Sequence, residues 1–242
     1  MLIDDAPAPP GAFFMPIYMV WGRVVEPTTV LCMSDTSPAA AAQVFGDRLA
    51  LAEAYHQSLA TTAAERGFIG PKEVARLWER HILNCAVISE AFEEGLKVAD
   101  IGSGAGLPGI PLAIARPDLK ITLIEPLLKR STYLREITEE LGLDNVTVIR
   151  GRAEEQPKAS FDAVTSRAVA PLGKLAGWSL PLLQGGGAMI AMKGESVAEE
   201  LERDAKLIAK AGGKDPEILT VGATTLEQPT TLIRITRKKK GE

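Results

Sequence analysis

Two cysteines, 5% aromatic residues and no long apolar run limit what this 242-residue chain can be. Cys32 and Cys85 lie far apart and join no Cys-x-x-Cys or Cys/His pattern. That excludes a disulfide-stapled scaffold, leaves no visible zinc or other metal site, and points to reducing, cytoplasmic surroundings. The one fairly apolar stretch, Phe13 to Val20, is too short to span a bilayer and is followed by Arg23. A secretory signal would carry positive charge before that stretch, where this chain has Asp4 and Asp5. Positive charge is scarce throughout: 27 Lys and Arg against 31 Asp and Glu leave a formal net charge of -4, mild evidence against a nucleic-acid partner unless basic residues gather locally. Against these absences stand 46% hydrophobic residues, enough for one substantial core.

Residues 1–43 contain Pro7, Pro9, Pro10, Pro16, Pro27 and Pro38 and read as a disordered leader, with Met33 as the native start. From Val44 the apolar positions take helical spacing. Val44, Leu51, Tyr55 and Leu59 define one face, and a second helix opens at Pro71, a favoured first helical position, and runs through Val74, Leu77, His81, Cys85 and Ile88. Residues 44–95 are therefore expected to form a small helical extension. Beyond Gly95, short apolar runs alternate with helical segments. Lys97–Ile101, Ile121–Ile124, Val146–Ile149, Phe161–Thr165 and Ala188–Met192 read as strands of a mostly parallel α/β sheet with helices on both faces. Glu217–Val221 and Thr231–Thr236 have no good helix between them, which predicts an antiparallel edge to a seven-stranded sheet over residues 96–242.

The segment Asp100-Ile101-Gly102-Ser103-Gly104-Ala105-Gly106-Leu107-Pro108-Gly109 ends a strand in a carboxylate and turns on glycines into a helix. Glycines there let the backbone approach a ligand closely. Gly104, Gly106 and Gly109 also satisfy the dinucleotide pattern, so an NAD-dependent oxidoreductase must be weighed. Asp100 can face a cationic ligand or hold the loop, and Pro108 and Pro111 remove N–H donors that a pyrophosphate would need. Glu125 closes the second strand, where a carboxylate can take both ribose hydroxyls. Together these favour S-adenosylmethionine over NAD.

After the third strand comes Gly151-Arg152-Ala153-Glu154-Glu155, which fits either an adenine edge or solvated helix-start acids. After the fourth comes Thr165-Ser166-Arg167, whose arginine suits a carboxylate, an RNA phosphate, or a surface position without a partner. No Asn-Pro-Pro-Tyr motif follows that strand and no cysteine stands in a catalytic loop, so amino-group methylation of adenine and C5 chemistry on pyrimidines lack their signatures. Among bases, a ring nitrogen with a ready lone pair is the remaining target.

From about Val44 onward the chain resembles the RsmG (GidB) family of small-subunit rRNA guanine-N7 methyltransferases. The carriers are Arg80-His81-Ile82-Leu83-Asn84, the glycine segment from Asp100 to Gly109, Gly151 to Glu155, Ser166-Arg167-Ala168-Val169-Ala170 and Met192-Lys193-Gly194. The resemblance implies a class I, Rossmann-like methyltransferase fold that uses S-adenosylmethionine to methylate N7 of a guanosine (guanosine 527, in the 530 loop) of 16S rRNA in the 30S subunit or a precursor. It implies cofactor contacts at Gly102, Leu107, Ala153, Glu154 and Arg167, beside the residue-based candidates Asp100, Gly104, Gly106 and Glu125. Asn84 departs from the family's common aspartate, and the leader is expected to match nothing in the family. No catalytic acid or base is assigned. RNA is expected to meet Arg76, Arg80 and Lys193, whereas the tail Arg237-Lys238-Lys239-Lys240 reads as a solvated end and His81 as a packed histidine. The expected species is a cytoplasmic monomer without a membrane partner. The rivals are the oxidoreductase, a methyltransferase acting on another substrate, and a non-catalytic RNA-binding module.

Overall fold

The computed structural model describes residues 37–167 and 169–241. The expected start at Met33 lies outside them. Seven strands form one sheet: β1 (Lys97–Ile101), β2 (Lys120–Ile124), β3 (Val146–Ile149), β4 (Phe161–Arg167), β5 (Leu183–Met192), β6 (Gly213–Val221) and β7 (Thr230–Arg237). Their order is β3-β2-β1-β4-β5-β7-β6. The first five run parallel, and β7 inserts antiparallel between β5 and β6. The expected antiparallel edge is therefore present, as a β6–β7 pair attached through its second strand.

Alternation along each strand sends side chains to two separate cores. Val98, Ala163 and Ile190 join the core that contains the N-terminal helices, together with α5 (Gly109–Ala115) and α6 (Leu128–Glu140). Ala99, Val164 and Met189 face the other core, under α7 (Leu172–Ser179) and α8 (Val197–Lys210). Glycine ends two helices: α6 and α8 are followed by Gly142 (φ +60°) and Gly212 (φ +88°). Strand order reverses between β1 and β4, and the crevice beyond their carboxyl ends is where open α/β sheets bind ligands.

The N-terminal helices differ from expectation in two ways. Helix starts at Ala39, not Val44: α1 (Ala39–Phe45) opens on an alanine run after Pro38 and buries Ala41 and Phe45, so residues 39–43 are ordered helix rather than disordered leader. After α2 (Leu49–Ser58), the second predicted helix is not uniform. It comprises α3 (Pro71–Val74), π-helical turns over Leu77–Leu83, α4 (Asn84–Ala86) and a 3-10 turn. The apolar period was legible in the sequence, but the π turns over Leu77–Leu83 were not. Tyr55, Leu59, Leu77, Ile82 and Ile88 are fully buried. At about 1.5–3 kcal/mol per large apolar side chain, they make this segment part of the sheet's core, and residues Ser37–Glu242 form one compact unit.

Candidate active site

The carboxyl ends of β1 and β4 bring Asp100 and Thr165 together as register partners, so both project from the face that carries the N-terminal helices. Asp100 Oδ2 accepts the Gly109 N–H at 3.1 Å and so fastens the start of α5 to the strand. A Cβ on Gly109 would collide with Leu123 Cδ2 and stand 2.7 Å from that same oxygen, so only glycine permits this approach. Asp100 Oδ1 and Thr165 Oγ1 are buried and have no hydrogen-bond partner among the described residues. Burial pushes the Asp100 carboxyl up to about 7, opposed by the Gly109 N–H, the Ser103 hydroxyl and Arg167 and assisted slightly by the Glu125 charge. A carboxylate with one unfilled oxygen, kept from its normal ionisation by burial, is chemically suited to a cationic ligand.

Glu125, beyond the end of β2, is 2% exposed and grips the glycine loop. Oε2 accepts the Gly104 N–H at 3.0 Å and Oε1 the Leu127 N–H at 2.9 Å. A carboxylate offers about four acceptor sites, so each oxygen keeps capacity for a ribose hydroxyl. Gly102 takes φ +70°, and the side chain of Val169, from the chain after β4, lies against it: Cγ2 is 2.9 Å from where a Cβ would stand. Leu107 and Ala153 are buried. Glu154 is exposed, whereas Glu155 turns back to accept the Arg152 N–H at 2.9 Å. Of the adjacent acids, one is thus a local cap and the other faces outward beside Ala153.

The dinucleotide reading fails on hydrogen-bond accounting. In the first turn of α5, the Gly109 N–H is taken by Asp100, the Ile110 N–H by Gly106 O at 2.7 Å and the Leu112 N–H by Pro108 O at 3.1 Å, while Pro111 has none. No amide remains there to receive a pyrophosphate.

Arg167, at the end of β4, reaches across to the N-terminal helices, where Nη1 donates to Arg80 O at 3.3 Å. Around it lie Arg80, whose Nε is 3.3 Å from Glu73, and His81, whose Nε2 is 2.8 Å from the same Glu73 oxygen. Burial and the Arg167 charge hold the His81 pKa below its ordinary value. His81 is a packed, hydrogen-bonded residue, as expected. Arg76 and Arg80 are exposed on this edge.

Two basic candidates sit elsewhere. Lys193 is not a free surface cation: its side chain is 10% exposed, and Nζ donates to Glu200 Oε2 at 2.8 Å and Ala170 O at 3.1 Å. Of the expected solvated tail, Lys238, Lys239 and Lys240 are exposed, but Arg237 is anchored. Arg237 Nη1 donates to the carbonyls of Leu180, Pro181 and Leu183 at 2.6–2.7 Å, and Lys239 packs against Gly185 and Gly186. Because β7 is antiparallel to β5, this tail lies at the edge opposite the glycine loop. Sequence reading also missed residues that act here. Tyr55 was read only as part of an apolar face, yet its hydroxyl bonds Ala105 O at 2.9 Å. A buried tyrosine needs a partner for its hydroxyl, and that was the available signal. Thr165 gave none, since its role comes from register with Asp100.

No helix among the described residues is long and apolar enough to cross a membrane, and these residues hold no cluster of side chains able to bind a metal. The fold resembles that of M. jannaschii TYW2 in complex with AdoMet (TM-score 0.53, 20% identity, 67% of this chain and 78% of that one). It also resembles a SAM dependent methyltransferase from Aquifex aeolicus (TM-score 0.51, 18% identity, 70% and 99%). In sequence, the chain is 64% identical over 227 residues to the ribosomal RNA small subunit methyltransferase G of Corynebacterium efficiens, covering 92% of this chain and 98% of that protein. With its counterpart in Corynebacterium glutamicum (strain R) identity is 62% over 243 residues, covering 99% and 100%. That alignment extends into the residues before Met33, so the expectation that the leader matches nothing in the family is overturned. The family model described as rRNA small subunit methyltransferase G matches residues 48–228, which include the glycine loop, both carboxylates and Arg167. On that match and those identities, the chain belongs to the rRNA small subunit methyltransferase G family.

Proposed function

We propose that this protein transfers the methyl group of S-adenosylmethionine to N7 of a guanosine in the 530 loop of 16S rRNA, acting in the cytoplasm on the 30S subunit or a precursor. The observation that supports it most is the pair of carboxylates at neighbouring strand ends: Asp100 keeps one buried oxygen without a partner, and Glu125 orders the glycine loop. Asp100 would hold the cationic part of the cofactor, Glu125 its ribose, and Ala153 with Glu154 its adenine. Gly102, Gly104, Gly106 and Leu107 would form the wall, with Arg167 at the rim. When bound, S-adenosylmethionine supplies a methyl group already activated on a sulfonium.

Guanine N7 is an unprotonated acceptor, so the chain needs no general base. Its residues must orient the two reactants, and orientation alone can supply several orders of magnitude in rate. His81, kept neutral by burial and Arg167, is held by Glu73 in a supporting position. Arg76 and Arg80 would meet phosphates. A net charge of -4 then implies a weak, salt-sensitive grip on generic RNA and reliance on the shape of the ribosomal target.

The test is incubation with labelled S-adenosylmethionine and either 30S subunits or naked 16S rRNA, followed by chemical cleavage at N7-methylguanosine. Cleavage in the 530 loop supports the reading. Labelling elsewhere would retain a methyltransferase and refute the site.

A further inference from the structure

We propose that Lys193 and Glu200 are positioning residues for methyl transfer, acting through the backbone of Ala170 and Leu172; this rests on the function proposed above. Lys193 follows β5 directly, and its ammonium bridges Ala170 O at 3.1 Å and Glu200 Oε2 at 2.8 Å. The same Glu200 oxygen accepts the Leu172 N–H at 2.9 Å. One cation and one anion, with side chains 10% and 17% exposed, therefore hold both sides of the turn from β4 into α7. Ion pairs on an open surface contribute little, but this one is mostly withdrawn from water and both partners also bond backbone groups.

The turn is worth holding because of what it carries. It begins just after Arg167, and its Val169 side chain lies against Gly102 in the glycine loop. A shift at Ala170 or Leu172 therefore moves the boundary between the cofactor loop and the crevice beyond β4. The helix it leads into has no side-chain cap of its own: Pro171 stands at its N-cap, and its first amides are received by α8, with Leu172 bonding Glu200 and Gly173 bonding Asp204 Oδ2 at 2.8 Å. The Asp204 contact involves neither Lys193 nor Glu200 and should remain when either is changed. Loss of the pair should thus loosen the turn without unfolding α7.

The test compares Lys193→Gln, Lys193→Arg and Glu200→Gln with the parent, as full chains. Melting temperature, affinity for S-adenosylmethionine, and kcat and KM on 30S subunits at two salt concentrations are measured. Both glutamine variants should lose kcat about tenfold or more, with KM for the subunit and its salt dependence unchanged. Lys193→Arg should recover part of the loss. An RNA-contact role for Lys193 would instead raise KM for Lys193→Gln alone and lower the salt slope by about 1, leaving Glu200→Gln active; that pattern overturns the proposal. So does a loss of kcat matched by equal losses of melting temperature and cofactor affinity. A parent that binds the cofactor but methylates no rRNA refutes the proposed function. The positioning claim is then read by hydrogen exchange at the Leu172 amide, which should quicken in both glutamine variants; unchanged exchange overturns it.

Discussion

The hydroxyl of Tyr55 donates a 2.9 Å hydrogen bond to the carbonyl oxygen of Ala105, joining α2 to the centre of the glycine loop. Tyr55 is completely buried, and burial raises its pKa well above the ordinary tyrosine value, so the hydroxyl keeps its proton and remains a donor. Farther along, Ser58 lies 3.1 Å from the Tyr133 hydroxyl, and Arg66 pairs with Glu136 at 2.6 Å, so the same helical segment is also secured to α6. The N-terminal helices thus serve as the outer support of the loop rather than as an appendage.

Tyr55→Phe removes that donor and leaves a buried carbonyl without it. The expected cost is about 1–3 kcal/mol of stability, measured by urea denaturation, with weaker binding of S-adenosylmethionine by calorimetry. Unchanged cofactor affinity would show that the loop holds its shape without this support.

With Asp100 in the proposed role, cofactor affinity should depend on pH. The Asp100 carboxyl titrates at about 7, and a cationic ligand draws on the ionised form. Affinity should therefore rise with pH by up to about tenfold per unit below that value and level off above it. Folding stability follows the opposite sign. Because the folded pKa is raised, the contribution of this group is fully present below the unfolded value of 3.8 and is lost as pH rises through about 7. Asp100→Asn can still accept the Gly109 N–H, so it should keep the loop, bind cofactor more weakly and lose the pH dependence in titrations from pH 5.5 to 8.5. A parent protein with flat affinity over that range would place the cation elsewhere.

Gly109→Ala brings a methyl group against Leu123 and Asp100, where neither strand nor helix can yield easily. Overpacking of this kind costs about 1–3 kcal/mol. Thermal unfolding should show that loss together with weakened cofactor binding, and an unchanged melting temperature would contradict the close approach of α5 to β1.

The two basic regions should behave differently. Arg76→Ala and Arg80→Ala, on the edge that Arg167 reaches, should each weaken binding to 30S subunits and lower the salt slope by about 1. Alanine at Lys238, Lys239 and Lys240, at the opposite edge, should leave methylation of the target nucleotide unaffected. The measurement is filter binding at several salt concentrations alongside methyl transfer, and a larger effect from the tail than from Arg76 would reverse the assignment.

Local patterns in the chain were sufficient for the alternating strands and helices, the glycine turn after Asp100, the acid after β2 and the antiparallel edge. Each depends on propensity or period within a few residues. The same patterns could not show which basic residues have partners within the fold, because a charge in sequence carries no record of its partner. Only the folded sheet pairs Lys193 with Glu200, sends Arg237 to three carbonyls, sets Thr165 beside Asp100 and brings Tyr55 to Ala105. Residues this distant in sequence meet through strand order and packing, so the existence of the loop was legible from the chain, whereas the supports that hold it were decided by the tertiary fold.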